Sequence, residues 1–552
     1  MIFKSPYPSL PTPNRPFSEF VLDKLWKFSD KVALIDPDSD TQVLNRDIYV
    51  QSLSVASFLE SRHFHHGDVA CAVLHNCLEF VPIFIGVAHR GGALSLASSA
   101  YTEYELTYQL KDAAAKIVFT HQSNLKKVIK AAESCPKIRC IVVVQDNAKG
   151  DSEKQAFGVV PFEEVLSYQP NVLRHKVDID IKRDVILLPY SSGTTGAPKG
   201  VMLSHSNLTL GVGLLEEFFV RHTMQKIDPS YRPENETEVM FMPMYHIFGF
   251  DTVMVNICAG VTTVLMKQFN LEQCCALVEK HKAKFLKVAP PILVMLSKNP
   301  IVEKYDLSHV QAIFCGAAPA GKELCDDVMK RLTTLKTITQ GFGMTELAGA
   351  SHVTEYSNAS KHGSCGKTGF NLETKVIDPN GQQLGFHEKG ELCLRGPVVM
   401  LGYLNRPQAT AETIDDDGWL HTGDIGYMDN DGDLFVVDRL KELIKVSGYQ
   451  VPPAEIEDLL LTHPKIQDAA IIGVPDEKYG ELPMAFVVRN NEDLSEDEVN
   501  EFVKQRVARY KQLKGGVQFI REIPKLPSGK ILRRFLKDEA QLLMRAKKKS
   551  NL

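Results

Sequence analysis

The sequence predicts an α/β protein of several layers that ends in a smaller α+β unit. Three observations predict it. Between about residues 30 and 440, short β-branched runs alternate with longer stretches of helical period, the pattern of mainly parallel sheets flanked by helices. From about 385 to 440, brief strands divided by turn signals replace that alternation, which predicts an antiparallel, β-barrel-like unit. Beyond 440, two strands stand between two helices in a unit of ~110 residues, a normal size for an independent domain.

Each element follows from its own residues. Residues 69–74 read as a strand and 79–90 as the helix behind it, and 115–120 with 124–134 repeat the pair. Residues 185–189 form an apolar run that predicts a buried strand, and 201–203 form a second short one. Asp429-Asn430-Asp431-Gly432 is a turn signal before a strand at 434–437. In the last unit, 454–461 reads as a helix, 466–474 and 484–488 as strands, and 497–507 as a charged amphipathic helix. The expected division is residues 1–438, a large region of several subdomains with two mainly parallel sheets, and residues 439–552, the small terminal domain.

Length and composition bound the function. A chain of 552 residues exceeds what one hydrophobic core fills, so roughly three or four structural units are expected. The net charge of -5 supplies no basic field for nucleic acid. Eleven cysteines without a Cys-x-x-Cys pair sit mostly in apolar runs, as reduced core residues do. The proline-rich opening lacks the apolar core of a secretory signal, and the longest apolar stretch, 252–266, is shorter than the ~20 residues that span a bilayer. Ser550-Asn551-Leu552 after three lysines is similar to the peroxisomal address Ser-Lys-Leu, which would recruit a peroxisomal import receptor; the alternative is a frayed basic tail on a cytosolic protein.

The segment from Tyr190 to Val201 has the composition of a loop that wraps polyphosphate. Gly193, Gly196 and Gly200 permit close approach of the backbone, so that successive N–H groups face an anion. Ser191, Ser192, Thr194 and Thr195 add hydroxyl donors, and Lys199 adds a mobile positive charge. Its setting is strand, loop, strand. Pro198-Lys199-Gly200-Val201 departs from the Walker spacing and from its helix, so the loop is of another kind. A Gly/Ser/Thr linker is the bland alternative.

Downstream stand Pro243 to Gly249 with His246, Cys315-Gly316-Ala317-Ala318-Pro319, Gln340-Gly341-Phe342-Gly343-Met344-Thr345-Glu346, Gly418 to Asp424, Asp438-Arg439-Leu440-Lys441 and Leu526 to Lys530. In this order, with the phosphate loop, they resemble the ANL superfamily of adenylate-forming enzymes: acyl-CoA synthetases, coumarate-CoA ligases and firefly luciferase. The resemblance runs over essentially the whole chain. It implies an N-terminal adenylation domain, a mobile C-terminal domain, and an AMP-forming ligase that uses ATP, Mg2+ and coenzyme A on a small carboxylic acid.

The resemblance also implies roles. Glu346 would ligate Mg2+ with Thr195 nearby, and Thr345 would bond the phosphates; alone, a Thr-Glu pair reads as a helix cap. Asp424 and Arg439 would hold the ribose, against the plainer reading of a turn aspartate and a surface arginine. Gly316, Ala317, Gln340, Gly341, Phe342, Gly343 and Met344 would lie between adenine and acyl chain. His246 would orient the carboxylate, although a lone histidine in an apolar run is usually a core residue. Lys530 would bridge that carboxylate and the α-phosphate. Asp438 and Lys441 would be the hinge, whose rotation withdraws Lys530 and presents Lys445, Ser447 and Gly448 to the thioester site.

Substrate choice is read from side chains near His246. Ile247 stands where amino-acid-activating relatives carry aspartate, which argues against a free amino acid. Phe248, Phe250, Phe342 and Leu347, with Gly341, suggest an apolar pocket for an aryl, arylalkanoic or fatty acid, and Asp251 is a polar exception that points away. Residues 97–100, Ala-Ser-Ser-Ala, replace the Asn-Pro that coumarate-CoA ligases commonly show before Tyr-Thr. Two alternatives stay open: adenylation with delivery to a carrier-protein thiol or an amine, and a non-catalytic acyl or nucleotide binder.

Overall fold

The alternation of apolar runs and helical stretches yields three sheets before residue 440 and a fourth after it. The computed structural model describes residues 1–145, 158–170, 177–191, 198–358, 361–439, 442–446, 449–476, 479–490, 493–525, 529 and 531–550. An eight-stranded sheet runs Gly402–Tyr403, Lys199–Ser204, Val185–Ser191, Ala93–Ala97, Val69–Val73, Ile117–His121, Cys140–Val144 and Val159–Pro161. From Val185–Ser191 onward its strands are parallel; the first three pair antiparallel. Val69–Val73 reads as a continuous apolar run because helices cover both faces of a parallel sheet. Helix Phe80–His89 follows it, within one residue of the sequence expectation.

The antiparallel unit expected after residue 385 is present, and it continues a parallel sheet rather than standing apart. Phe285–Val288, Ala312–Cys315 and Thr337–Met344 are parallel. Thr337–Met344 then pairs antiparallel with Gly349–Val353, and the path runs on through Ser364–Thr368, Asp433–Arg439, Leu420–Met428, Gly390–Arg395, Glu373–Ile377 and Ile2–Lys4. One long strand therefore joins the two kinds of sheet. A four-stranded sheet of Thr237–Met240, Thr262–Leu265, Val32–Ile35 and Gln42–Leu44 completes the region.

The terminal unit packs helices on a mixed sheet centred on Ile466–Asp476 and Gly480–Arg489. Period-2 alternation gives it two cores: Ile471 and Val487 face Leu460, while Ala470 and Phe486 face Leu536. Arg533 ties its edges together. Its guanidinium reaches Glu457 at 2.6 and 2.7 Å, Glu442 at 3.0 Å and the carbonyl of Ile471 at 3.2 Å. Burial pushes the Glu457 carboxyl up to about 7, against the pull of Arg533. Asp438 accepts from the amide of Ala454 at 3.2 Å, so the strand that leaves the N-terminal sheet also caps helix Pro453–Leu461.

All eleven cysteines are free and ten are buried, as their apolar contexts predict. Among the described residues no helix is long and apolar enough to cross a membrane. Asn551 and Leu552 lie outside the described residues.

One buried ion pair joins two sheets. The Lys287 ammonium meets Glu238 and donates to Asn256 at 3.1 Å, flanked by the rings of Phe219 and Phe285, each 5.0 Å away. An orphaned charge there is costly, whereas removing both charges is not. Lys287→Met is expected to lose about 3–5 kcal/mol in urea denaturation. The double variant Lys287→Met with Glu238→Leu is expected to recover most of that loss.

Candidate active site

Three parallel strands end together and deliver the first half of the site. Phe285–Val288 runs into Ala289 and Pro290, Ala312–Cys315 into Gly316 and Ala317, and Thr337–Met344 carries Gln340 to Met344 before the turn Thr345–Leu347. Clefts form at the carboxyl ends of such strands because the following loops diverge there. Ala317 adopts φ +72°, a left-handed conformation that turns its loop sharply. Gln340 fixes that loop: its Oε1 accepts from the amide of Ala320 at 2.9 Å and its Nε2 donates to the carbonyl of Ala320 at 3.1 Å. The Gln340 side chain thus braces the loop from the neighbouring strand.

The polyphosphate-loop sequence connects an antiparallel hairpin. Ser191 pairs with Lys199 and Tyr190 with Gly200. Ser192, Gly193, Thr194, Thr195 and Gly196 lie outside the described residues. The hairpin base is anchored from behind. Tyr108 donates to the carbonyl of Pro198 at 3.0 Å, and Tyr190 donates to Asp112 at 2.9 Å. Arg406 links both, with its guanidinium 3.2 Å from Asp112 and 3.2 Å from the Tyr108 hydroxyl. A Cβ on Gly200 would stand 3.1 Å from the Tyr190 ring, so glycine permits this packing.

Glu346 is 6 % exposed and accepts at Oε1 from the hydroxyl of Tyr403 at 2.8 Å. The Lys199 ammonium lies 4.8 Å from the centre of the same ring. Burial, then the neighbouring Glu346, raises the Tyr403 phenol, so it stays a donor. The buried Glu346 carboxylate is a hard oxygen donor that fits Mg2+. Thr195, the other expected ligand, lies outside the described residues.

His246 is the N-cap of helix Ile247–Ala259: its Nδ1 accepts from the amide of Phe248 at 3.4 Å, which leaves Nε2 as the protonated nitrogen of the neutral ring. Phe248 and Phe314 meet edge to face at 5.9 Å. A Cβ on Gly316 would lie 3.2 Å from Phe314 and 3.3 Å from Phe248, and one on Gly341 would lie 3.1 Å from Phe314. Two aromatic rings thus converge on two glycines. Phe250 and Leu347, expected in the pocket, are fully buried in the main core, to which Phe314 also belongs; Phe250 packs edge to face on Phe84 at 4.8 Å, because it faces another side of the helix than Phe248. Asp251 is 1 % exposed with neither carboxylate oxygen hydrogen-bonded, and burial raises its carboxyl far above the usual range, so it is held as the neutral acid.

The segment at Thr422 to Asp424, expected at the ribose, is braced by the adjacent strand: Gly423 donates to Glu391 at 3.1 Å and Thr422 to the carbonyl of Leu392 at 2.8 Å. Asp424 is buried, and its backbone pairs with that of Arg439. Lys445 is exposed on strand Ile444–Val446 and its amide donates to Glu481 at 2.8 Å. Lys441, Ser447, Gly448 and Lys530 lie outside the described residues. Gly343 is exposed and Met344 half-buried. Gly529 touches Pro291, since a Cβ there would stand 3.1 Å from its Cδ and 3.5 Å from Cβ of Ala289.

Sequence reasoning missed Tyr108, Asp112, Tyr403, Arg406 and Phe314. None sits in a loop motif; the Gly402-Tyr403 pair just before Asn405-Arg406-Pro407 is the one local signal that marks a turn against the phosphate hairpin.

Comparison with known proteins agrees with this geometry. Residues 23–404 match the family model described as AMP-binding enzyme, and residues 455–530 match AMP-binding enzyme C-terminal domain. A 4-coumarate-CoA ligase of Narcissus pseudonarcissus is 38 % identical, covering 97 % of this chain and 96 % of its own. One of Solanum tuberosum is 39 % identical over the same shares. The crystal structure of an anthranilate CoA ligase with anthranoyl-AMP has the same fold, with a TM-score of 0.86 at 23 % identity over 97 % of this chain and 99 % of that one.

The anchoring network has a measurable consequence. Asp112→Ala removes the acceptor of Tyr190 and the partner of Arg406 while leaving every predicted ligand contact in place. The KM for ATP is expected to rise about 5- to 30-fold, the scale of one or two lost charge-assisted hydrogen bonds, with kcat changed far less. Steady-state pyrophosphate release at varied ATP checks it.

Proposed function

The chain belongs to the AMP-binding enzyme family and is an AMP-forming acid-CoA ligase, and we propose that its acid has an apolar body, aryl, arylalkanoic or fatty. The observation that carries this reading is the convergence of Phe248 and Phe314 on Gly316 and Gly341. Aromatic rings pack against these glycines, and neither ring offers a charge to a substrate. The likeness to 4-coumarate-CoA ligases supports the aryl branch of the proposal.

In the ligase reaction the acid's carboxylate attacks the α-phosphorus of ATP, pyrophosphate leaves, and the thiol of CoA then attacks the acyl carbon and displaces AMP. We assign to His246 the orientation of the attacking carboxylate, through the proton on Nε2. Lys199 is assigned to the phosphates from the edge of the hairpin, and the Gln340 brace keeps the Gly316-Ala317 loop open between purine and acyl group. Mg2+ bound at Glu346 would offset phosphate charge. Asp424 is assigned to the ribose hydroxyls. Lys530 is assigned to the charge that develops between carboxylate and α-phosphate, a role supported by the contact of Gly529 with Pro291 beside the ends of the parallel strands.

Two experiments test these assignments. A panel of aromatic, arylalkanoic and fatty acids, each with ATP and CoA and read by mass analysis of thioesters, is expected to yield thioester from apolar acids. Phe314→Ala is expected to shift the preference toward bulkier ones; turnover confined to polar or dicarboxylic acids would overturn the substrate class. Lys530→Ala is expected to slow adenylate formation about 100-fold or more, on the scale of one preorganised electrostatic contact. Its effect on thioester formation from supplied acyl adenylate is expected to be far smaller.

A further inference from the structure

The segment around residue 400 contacts both the hairpin at Gly200 and Met202 and the turn at Glu346 without belonging to any loop motif. Met400 donates its amide to the carbonyl of Glu346 at 2.9 Å, Leu401 to that of Met202 at 2.9 Å and Leu404 to that of Gly200 at 2.8 Å. Asn207 holds the same segment through the carbonyls of Pro397 and Val399 at 2.7 and 3.0 Å. Tyr403 stands at the centre. Its amide donates to the Thr410 hydroxyl at 2.9 Å, its phenol donates to Glu346 Oε1 at 2.8 Å, and its ring carries the Lys199 ammonium at 4.8 Å.

The side chain contacts two opposite charges, the Lys199 ammonium over its ring and the Glu346 carboxylate at its hydroxyl. No ion pair joins Lys199 to Glu346 among the described residues; each contacts Tyr403 instead. A lysine-carboxylate pair there would remove both groups from their tasks, since the ammonium would satisfy the carboxylate and the carboxylate would neutralise the ammonium. Aromatic stacking attracts the cation without charge transfer to a counter-ion, and the phenol fixes one carboxylate oxygen while leaving the other for a metal.

We propose that Tyr403 is a positioning residue of the adenylation site, whose hydroxyl aims Glu346 at the metal and whose ring keeps Lys199 and Glu346 apart. The proposal rests on the ligase reading above and adds a residue to it. Tyr403 acts through the two groups it contacts, Lys199 and Glu346.

The two functions of the side chain are separable by substitution. Tyr403→Phe keeps the ring and loses the hydroxyl; Tyr403→Leu loses both. Binding of Mn2+ to the full-length enzyme saturated with α,β-methylene-ATP is read by electron paramagnetic resonance, and binding of the metal-free analogue in EDTA is read by calorimetry. Tyr403→Phe is expected to raise the Mn2+ dissociation constant about tenfold, the scale of one hydrogen bond to a charged group, and to leave analogue binding in EDTA within about twofold. Tyr403→Leu is expected to weaken both, because Lys199 then closes on Glu346. Unchanged Mn2+ binding in Tyr403→Phe overturns the proposal, as does equal weakening of both measurements by the two variants, which would mark a general structural role. Failure of the unsubstituted enzyme to bind Mn2+ with the analogue would instead overturn the ligase assignment of Glu346, so the two failures are distinguishable.

Discussion

A carboxylate withdrawn from water must be held by something else, and at Glu346 the holder is the Tyr403 hydroxyl. That constraint shapes the surrounding chain. Tyr403 reaches Glu346 because Gly402–Tyr403 adds to the phosphate hairpin as an edge strand, and the hairpin can accept it because Lys199–Ser204 is itself paired on its other side with Val185–Ser191. The long strand Thr337–Met344 brings Glu346 to the same point from another sheet. Two sheets that share the main core are thus also joined, at their polar edge, through one phenol and its backbone neighbours. The site lies where they meet, and its precision depends on both.

The fold was largely legible because its signals are local. Continuous apolar runs such as 69–73, helical periods behind them, and the Asp-Asn-Asp-Gly turn at 429–432 each declare an element within a few residues. The loop motifs assigned to ligand stand out for the same reason: glycine, lysine and hydroxyl side chains cluster in sequence. What stayed hidden was support that comes from a distance. Asp112 and Tyr190 are 78 residues apart, and Arg406 reaches Tyr108 across 298. No periodicity encodes such pairs. The misplacement of Phe250 and Leu347 has the same origin, since an apolar residue near a site motif faces either pocket or core, and only the helix rotation decides which.

The junction of the two regions shows a further economy of charge. Asp438 caps a helix of the terminal domain, Glu442 and Glu457 share Arg533, and all four lie near the point where the chain passes from one sheet to the next. Arg533 follows Lys530 by three residues in sequence, and Lys525 binds Asp468 at 2.6 and 2.8 Å on the other flank of that turn. Residues on both flanks of 526–530 are thus tied to the terminal domain itself.

The buried cysteines carry a practical consequence. Ten of the eleven are sequestered, and burial drives even the partly exposed Cys365 thiol up to about 12, far from the thiolate form that reacts. The native enzyme is accordingly a nearly silent background for maleimide chemistry. A pair of cysteines introduced at exposed positions, one on each side of residue 438, would take fluorophores selectively, and energy transfer between them would report whether the terminal domain moves during catalysis, in a protein that needs no prior cysteine removal.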